Sequence, residues 1–406
     1  MYYKISLLIK KISFFGIIIF NCFFLKAQPT EFLKGRAFEI KGQPDSAILC
    51  YSKILDKNKT DAKVYVARGR AFYENKELDK AISDFIFANK INGNIADFNL
   101  AQCYARQNNI ILTIESLKNH LTSKYKLPQV IVRLDPEFEK FDDNPEWKNF
   151  WKKDWYDKYD NQIGEVSFMT KNKDWMGVIN YISDAIKIDT KHHEMLYFRA
   201  NAYHEMGNYK TSLNDYDNAI DLNKHKYEYF EGRANSYIKL GKLKEAVTDL
   251  NFAITIAPDV FTLYIKRAET NFFLFNYDIA SADIDFYLSL FANDTTAIFL
   301  AGQIAQASGN FFDALSYYNR LIKFNPLNAG YYLSRAETYE KTGLVPFALK
   351  DYNTCINLEP QNKIALRKRG QILFNQGNKK SACLDWEKAM NYGDFEANNF
   401  YLDNCK

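Results

Sequence analysis

The 406-residue sequence has few of the residues that mark catalytic or metal centres. No CxxC motif occurs, so a zinc or thioredoxin-type site has no support. His193 and His204 are each followed by glutamate, but no second histidine completes an HExxH motif. GxSxG, Walker and GxGxxG loops are absent too. We therefore expect no catalytic residue, no metal and no cofactor, and an enzyme is the least favoured class.

An excess of charge of one sign is also missing. The chain carries 53 basic and 49 acidic residues, which leaves a formal net charge of +4. Nucleic-acid partners and anionic membrane surfaces select strongly basic chains, so neither is expected here. Hydrophobic residues make up 47% of the chain, enough to bury a core along its length.

The N-terminus contains the one apolar run that bears on localisation. Lys4, Lys10 and Lys11 precede an apolar segment over residues 12–25, and Ala27 follows it. This segment is shorter than the ~20 residues that a membrane-spanning helix needs. The pattern predicts a signal peptide over residues 1–27 that is cleaved after Ala27, and hence a periplasmic or secreted protein. The alternative is an uncleaved anchor, the only attachment to a membrane that we expect.

Cysteine is scarce but informative. Lipidation at Cys22 is disfavoured, because Asn21 stands where a small residue is required. After cleavage an odd number of cysteines would remain, so at least one is unpaired. Export would allow the others to form disulfides. The remaining cysteines are Cys50, Cys103, Cys355, Cys383 and Cys405.

What the sequence does have is a 34-residue period. Alanine recurs at this spacing at Ala246, Ala280, Ala314, Ala348 and Ala382. A second series of small residues lies 12 positions earlier, at Ala200, Ala234, Ala268, Gly302, Ala336 and Gly370. Such a period predicts an all-α solenoid in which each helix–turn–helix unit packs only against its neighbours.

This pattern resembles the tetratricopeptide repeat. The small residues, the aromatic three positions later in some units (Tyr203, Tyr237, Tyr339) and the closing Pro258, Pro326 and Pro360 carry the resemblance. It covers residues 29–121 and 160–390. The resemblance implies a right-handed superhelix of antiparallel helix pairs whose inner groove binds proteins or peptides.

The phase of the repeat divides the chain. We predict an N-terminal block of about three repeats over residues 28–121, an irregular bridge over 122–160, a block of about seven repeats over 161–390 and a capping helix over 391–406. In the bridge, Asp135-Pro136 and Asn144-Pro145 predict N-caps of two short aromatic helices. The bridge is either an elbow between two arms or an irregularity in one superhelix.

The end of the chain resembles that of exported bacterial tetratricopeptide proteins, which implies a disulfide between Cys383 and Cys405. The alternative is two unrelated buried thiols. Cys355 shares its phase with Ala219, Ala253 and Ala389 and is expected to be an inert core thiol.

A ladder of opposite charges accompanies the repeat. An arginine is followed 16 residues later by an aspartate in six units, which suggests an ion pair between the two helices of each unit. In the seven-repeat block, the units with Ala301/Tyr317 and Glu165/Tyr181 lack both members, which favours contact within a unit. The alternative is a basic stripe for an anionic ligand. The pairs are Arg68/Asp84, Arg199/Asp215, Arg233/Asp249, Arg267/Asp283, Arg335/Asp351 and Arg369/Asp385.

The first helix of each unit is expected to line the groove. Its mixture of aromatic, amide and acidic side chains suits an extended peptide. The alternative is that some of these residues only pack against neighbouring helices. The candidate binding residues are Tyr197, Asn201, His204, Asn235, Glu269, Phe272, Phe273 and Gln303. We predict an exported, non-enzymatic scaffold for a protein or peptide partner, with a glycan-binding envelope protein as the alternative and an enzyme third.

Overall fold

A computed structural model describes residues 30–186 and 192–405. The predicted signal peptide lies outside these residues. The chain divides between residues 263 and 264 into two compact units, called here the N-terminal unit (to Leu263) and the C-terminal unit (from Tyr264).

Helices alone make up the regular structure of the described residues, which confirms the expected all-α solenoid of stacked helix pairs. The first ten are α1 (Glu31–Ile40), α2 (Pro44–Lys57), α3 (Ala62–Glu74), α4 (Leu78–Ile91), α5 (Asp97–Arg106), α6 (Ile110–Leu121), α7 (Gln129–Arg133), α8 (Pro145–Phe150), α9 (Lys158–Lys171) and α10 (Trp175–Ile186). Then follow α11 (His193–Glu205), α12 (Tyr209–Leu222), α13 (Tyr227–Lys239), α14 (Leu243–Ile256), α15 (Thr262–Phe273) and α16 (Tyr277–Leu290). The last are α17 (Thr295–Ala307), α18 (Phe311–Phe324), α19 (Ala329–Lys341), α20 (Val345–Leu358), α21 (Lys363–Asn375), α22 (Lys379–Asn391) and α23 (Phe395–Cys405).

Small residues bring the two helices of a pair together. Ala314 and Ala348, from the series that revealed the period, are fully buried. In α17, the missing side chain of Gly302 makes room for the Tyr318 ring of α18, since a Cβ there would lie 2.7 Å from Tyr318 Cε1. The spacing of paired helices, about 8–10 Å, depends on the side chains at their contact. The small residues therefore set the packing within each pair.

The expected ion pairs are present in all six units. In each, the arginine donates from Nε and Nη2 to the two carboxylate oxygens of the aspartate, at 2.6–2.8 Å. This two-pronged geometry joins the first helix of a pair to the second. The guanidinium groups are thus engaged by the protein itself, which argues against a basic stripe for an anionic ligand.

Several of these arginines also contact the preceding pair. The Nη1 group of Arg335 donates to Asn319 Oδ1 at 2.6 Å, and that of Arg369 donates to Asn353 Oδ1 at 2.7 Å. Arg68 and Arg199 make the same contact with the serines Ser52 and Ser183. One guanidinium therefore connects three helices and couples neighbouring repeats.

In the two units of the seven-repeat block that lack the ion pair, a tyrosine stands in place of the aspartate. Tyr317 stands where an aspartate is expected, and its hydroxyl donates to Asp285 Oδ1 of the preceding pair at 3.2 Å. In the other unit, Tyr181 forms a side-chain hydrogen bond with Glu165. Arginine and aspartate are thus lost together, and a hydroxyl–carboxylate contact takes their place.

The bridge differs in part from the prediction. Asn144 caps α8 as expected, with Pro145 as the first helical residue. The helix predicted to begin at Pro136 is wrong: Asp135 accepts from the backbone N–H of Glu137, but a turn and a short 3-10 helix (Glu139–Phe141) follow. The rings of the bridge are drawn into one core with α5 and α6, and this packing overrides the local helix pattern. That core contains Ala101, Ala105, Leu117, Leu121, Val132, Phe138, Phe141, Trp147, Phe150 and Tyr156.

The last helix, α23, packs on the last pair. Phe400 stacks on the buried Trp386 of α22, with the ring centroids 5.4 Å apart. The sulfur atoms of Cys383 and Cys405 lie 1.98 Å apart. Cys355 is buried as a free thiol in the core of the preceding pair, where it was expected.

Candidate functional site

The surface formed by the first helices of the C-terminal unit contains a depression of about 380 Å³. Four successive first helices contribute to it: α15, α17, α19 and α21. Two of the predicted binding residues, Phe272 and Gln303, lie in it. The lining residues are Phe272, Gln303, Gln306, Ala307, Glu337, Glu340, Lys341 and Lys368.

Tyrosines from the second helices orient two of these polar side chains. The Tyr318 hydroxyl donates to Gln306 Oε1 at 3.2 Å, and the Tyr352 hydroxyl donates to Glu340 Oε2 at 2.8 Å. Lys368 Nζ lies 3.6 Å from the other oxygen of Glu340. The phenol rings are buried, so the depression has a rigid floor with fixed polar groups.

Two other groups of the depression keep their hydrogen-bonding capacity. The Gln303 amide and the Glu337 carboxylate are half-buried, and neither makes a side-chain hydrogen bond with another described residue. Burial raises the pKa of Glu337, although the nearby Lys368 opposes this. A partly desolvated carboxylate and a free amide are groups that a peptide backbone or a polar side chain can satisfy.

Two predicted residues of α15 lie outside the depression. Glu269 is exposed on the same helix, and partial burial raises the pKa of its carboxyl group. Phe273 is exposed at the end of α15, and its ring contacts that of Phe272, with the centroids 5.5 Å apart. The structure thus brings Phe272 and Gln303 together in the depression, while Glu269 and Phe273 do not line it.

In the N-terminal unit, three predicted residues contact neighbouring helices. The Tyr216 hydroxyl donates to Asn201 Oδ1 at 2.5 Å, and the Tyr197 ring packs on Tyr229 at 4.9 Å. His204 Nδ1 lies 2.8 Å from Ser236 Oγ. These three residues therefore make the contacts with neighbouring helices that were the alternative to ligand binding. Asn235 is half-buried and makes no side-chain hydrogen bond with another described residue, so its amide is available to a ligand.

Sequence reasoning missed the two lysines of the depression. Lys368 shares its repeat position with Lys266, but Leu300 and Ser334 occupy this position in the two units between them, so the charge does not recur in successive units. Lys341 is the last residue of α19, beyond the positions assigned to the groove. Only the packing of successive repeats shows that both reach this surface.

A second depression, of about 810 Å³, lies in the N-terminal unit between α6 and the bridge. Trp155 lines it, but Lys153 Nζ lies 4.2 Å from the centre of the indole ring, which also packs on Phe150 at 5.0 Å. Elsewhere Trp147 and Trp386 are buried. The flat, open ring on which a sugar would stack is not offered by these residues.

Comparison with known proteins agrees with this architecture. Two models of the tetratricopeptide repeat match the chain, one at residues 32–86 and 299–354, the other at 193–226 and 227–260. The chain therefore contains repeats of the tetratricopeptide family. Members of this family are typically protein-interaction scaffolds and generally not enzymes.

Tetratricopeptide relatives match the chain over short stretches. The Hsp70-Hsp90 organizing protein of Triticum aestivum is 31% identical over 80 residues, which are 20% of this chain and 14% of that protein. Hsp70-Hsp90 organizing protein 3 of Arabidopsis thaliana is 29% identical over 94 residues, 23% of this chain and 16% of that protein. The chain thus spans less than a fifth of the length of these relatives.

A similar solved structure is the C-terminal part of a TPR repeat-containing protein from Cytophaga hutchinsonii. It has a TM-score of 0.51 and 16% sequence identity, and the match covers 60% of this chain and 99% of that chain. This likeness concerns the fold. Among the helices of the described residues, none has the length and apolar content to cross a membrane.

Proposed function

We propose that this tetratricopeptide-repeat protein is an exported, non-enzymatic scaffold that holds a protein or peptide partner against its first helices. The observation that carries the proposal is the depression of the C-terminal unit. There the unpaired groups of Gln303 and Glu337 stand beside the Phe272 ring. An extended peptide can offer backbone groups to Gln303 and Glu337 and an apolar side chain to the Phe272 ring.

Rigidity of this surface favours binding. Gln306 and Glu340 are held by buried tyrosines, and the ion pairs fix the helices that carry them. Binding of a partner then requires little further ordering of the protein, so its entropic cost is small. The predicted signal peptide over residues 1–27 supports export to the periplasm or the exterior. The glycan-binding alternative has less support, because Trp147 and Trp386 are buried and Trp155 is covered by Lys153 and Phe150.

Site-directed photocrosslinking in the native envelope tests this proposal. A benzophenone amino acid placed at Gln303 should yield discrete protein adducts that mass spectrometry can identify. The matched control is Asn357, which is exposed on the second helix α20. We expect far fewer adducts there.

A second variant separates specific binding from proximity. Phe272→Ala should reduce the Gln303 adducts at least tenfold, whereas Phe324→Ala, which removes an exposed ring from α18, should leave them unchanged. Equal adducts at Gln303 and Asn357, or adducts insensitive to Phe272→Ala, would contradict the groove as the binding surface.

A further inference from the structure

Three consecutive turns between paired helices carry exposed apolar side chains in the C-terminal unit. The α15–α16 turn carries Phe273 and Phe275, and α18 begins with Phe311 and the almost fully exposed Phe312. Leu344 ends the α19–α20 turn, and Phe347 lies in the first turn of α20. Because successive pairs stack in the same orientation, these turns lie along one edge of the unit. We call this set, Phe273, Phe275, Phe312, Leu344 and Phe347, the phenylalanine edge.

Phe275 has an unfavourable backbone conformation. Its φ angle is +61°, in the left-handed region, where a bulky side chain is rare. The equivalent turn residue also has positive φ in other units, where it is glycine at 207, 241, 309, 343 and 377 but lysine at 76 and 173 and asparagine at 108. Glycine would fit position 275 without strain, yet a phenylalanine occupies it and is 76% exposed. Unlike the lysines and the asparagine, Phe275 places a large apolar ring in solvent at this position, which favours a role in binding.

The size of the edge matches one side of a protein interface. The phenylalanines at 273, 275, 312 and 347 are 65%, 76%, 92% and 55% exposed. With about 200 Å² for each ring, this amounts to roughly 600 Å² of apolar surface. A stable dimer buries about 800 Å² on each partner, usually as an apolar centre with a polar rim.

The charges around the edge favour a second copy of this chain as the partner. Asp278 follows the first of the three turns, and Lys341 precedes the third. Both are exposed, and neither makes an ion pair with another described residue. A two-fold axis beside Phe312 would place Phe273 and Phe275 of one copy against the apolar third turn of the other. The same rotation sets Asp278 against Lys341 twice.

We propose that the phenylalanine edge is a self-association surface through which two copies of the chain form an antiparallel, two-fold symmetric dimer. The next turn along the unit, with Asn375, Asn378, Lys379 and Lys380, is polar and ends the apolar surface. The edge adjoins the groove, because the Phe273 ring contacts Phe272 and Lys341 also lines the depression.

Sedimentation equilibrium of the full exported chain between about 1 and 100 µM tests the proposal. We expect a dimer whose dissociation constant rises at least tenfold in Phe312→Asp. The matched control is Phe395→Asp, which alters an equally exposed ring on α23 and should leave the constant unchanged. Phe275→Gly should weaken the dimer while raising the midpoint of thermal unfolding at low concentration.

Charge reversal tests the antiparallel geometry. Asp278→Lys and Lys341→Asp should each weaken the dimer several-fold, and the double variant should restore it, because each swapped charge again meets its opposite. A chain that stays monomeric at 100 µM overturns the proposal. The proposal is also overturned if that monomeric chain binds another protein or lipid vesicles through this edge. Failure of the double variant to restore the dimer overturns the antiparallel arrangement.

Discussion

Glycine and a large ring are matched across the helix pairs. Gly35, Gly69, Gly302 and Gly370 each lie under the ring that stands 16 residues later, and an added Cβ would meet that ring. Where the later residue is Leu250 or Ile284, the earlier position is alanine. Ala200 and Ala336 precede the tyrosines 216 and 352, so the matching is a tendency of this chain and not a strict rule.

Gly302→Ala should therefore destabilise the C-terminal unit by about 1–3 kcal/mol through overpacking against Tyr318. The additional change Tyr318→Leu should recover part of this loss, since alanine and leucine occupy the equivalent positions 234 and 250. Urea unfolding followed by circular dichroism measures both. Gly164→Ala is the control: its Cβ meets open space in the middle of α9, so this change should be neutral or stabilising. Equal effects at both glycines would contradict the packing argument.

His120 is a buried histidine whose ring serves structure. Its Nε2 accepts a hydrogen bond from the Leu127 backbone N–H at 3.0 Å, which holds the segment after α6 in place. Burial lowers the pKa of His120 to about 4. The unfolded chain, with an ordinary pKa near 6.5, therefore binds a proton that the folded protein excludes.

The contribution of His120 to the stability of the N-terminal unit should be fully present above about pH 6.5 and should be lost as the pH falls toward 4. Between pH 7 and pH 5 we expect His120 to account for a loss of about 2 kcal/mol. Urea unfolding at both pH values measures it. His120→Asn should flatten this dependence at the cost of lower stability at pH 7, whereas replacement of the exposed His225 should not change the slope. An unchanged slope in His120→Asn would refute the assignment.

Several arginines of the ion-pair ladder connect helices of two neighbouring repeats. Arg335 and Asp351 are mostly buried, and Asn319 of the preceding pair completes the contact. Removing one partner leaves the other charge buried and unpaired, which typically costs more than the pair itself contributes.

Asp351→Ala should accordingly cost about 3–5 kcal/mol, and a double-mutant cycle with Arg335→Ala should show coupling above about 1 kcal/mol. The control cycle uses Lys148 and Asp143, an ion pair of the bridge that is 3.0 Å long and well exposed. No measurable coupling is expected there. If the effects of the two substitutions at 335 and 351 simply add, the ion pair does not couple the two helices.

Periodic features of the fold could be predicted from the sequence, because a repeat makes each contact recur at a constant spacing. The fully buried alanines and the six ion pairs are of this kind, and even the loss of the pair at Ala301 and Tyr317 could be anticipated as a unit. The turn at Asp135 could not, because its conformation depends on rings drawn in from several helices.

Contacts between distant repeats left no local trace in the sequence. Within the N-terminal unit, Arg36 Nε donates to Asp259 Oδ2 at 3.0 Å, although 223 residues separate them along the chain. The curvature that brings them together accumulates from small rotations between many pairs. The repeat register was enough to assign Phe272 and Gln303 to the binding surface. Lys368 borders this surface from a later repeat, and only the stacking of the repeats brings it there.

The Cys383–Cys405 pair connects the last repeat to its capping helix. Because a disulfide persists only in an oxidising compartment, the state of this pair tests where the chain is located. If the chain is exported, the bond should form and close a loop that contributes about 3 kcal/mol to stability. Reductant should then lower the urea midpoint of the native chain but not that of Cys383→Ala/Cys405→Ala. The buried free cysteines at 50, 103 and 355 remain in both proteins and serve as an internal control. Alkylation of protein taken from the cell envelope without reductant, followed by mass spectrometry, reads the bond directly. Labelling of residues 383 and 405 would contradict the disulfide and weaken the case for an oxidising compartment.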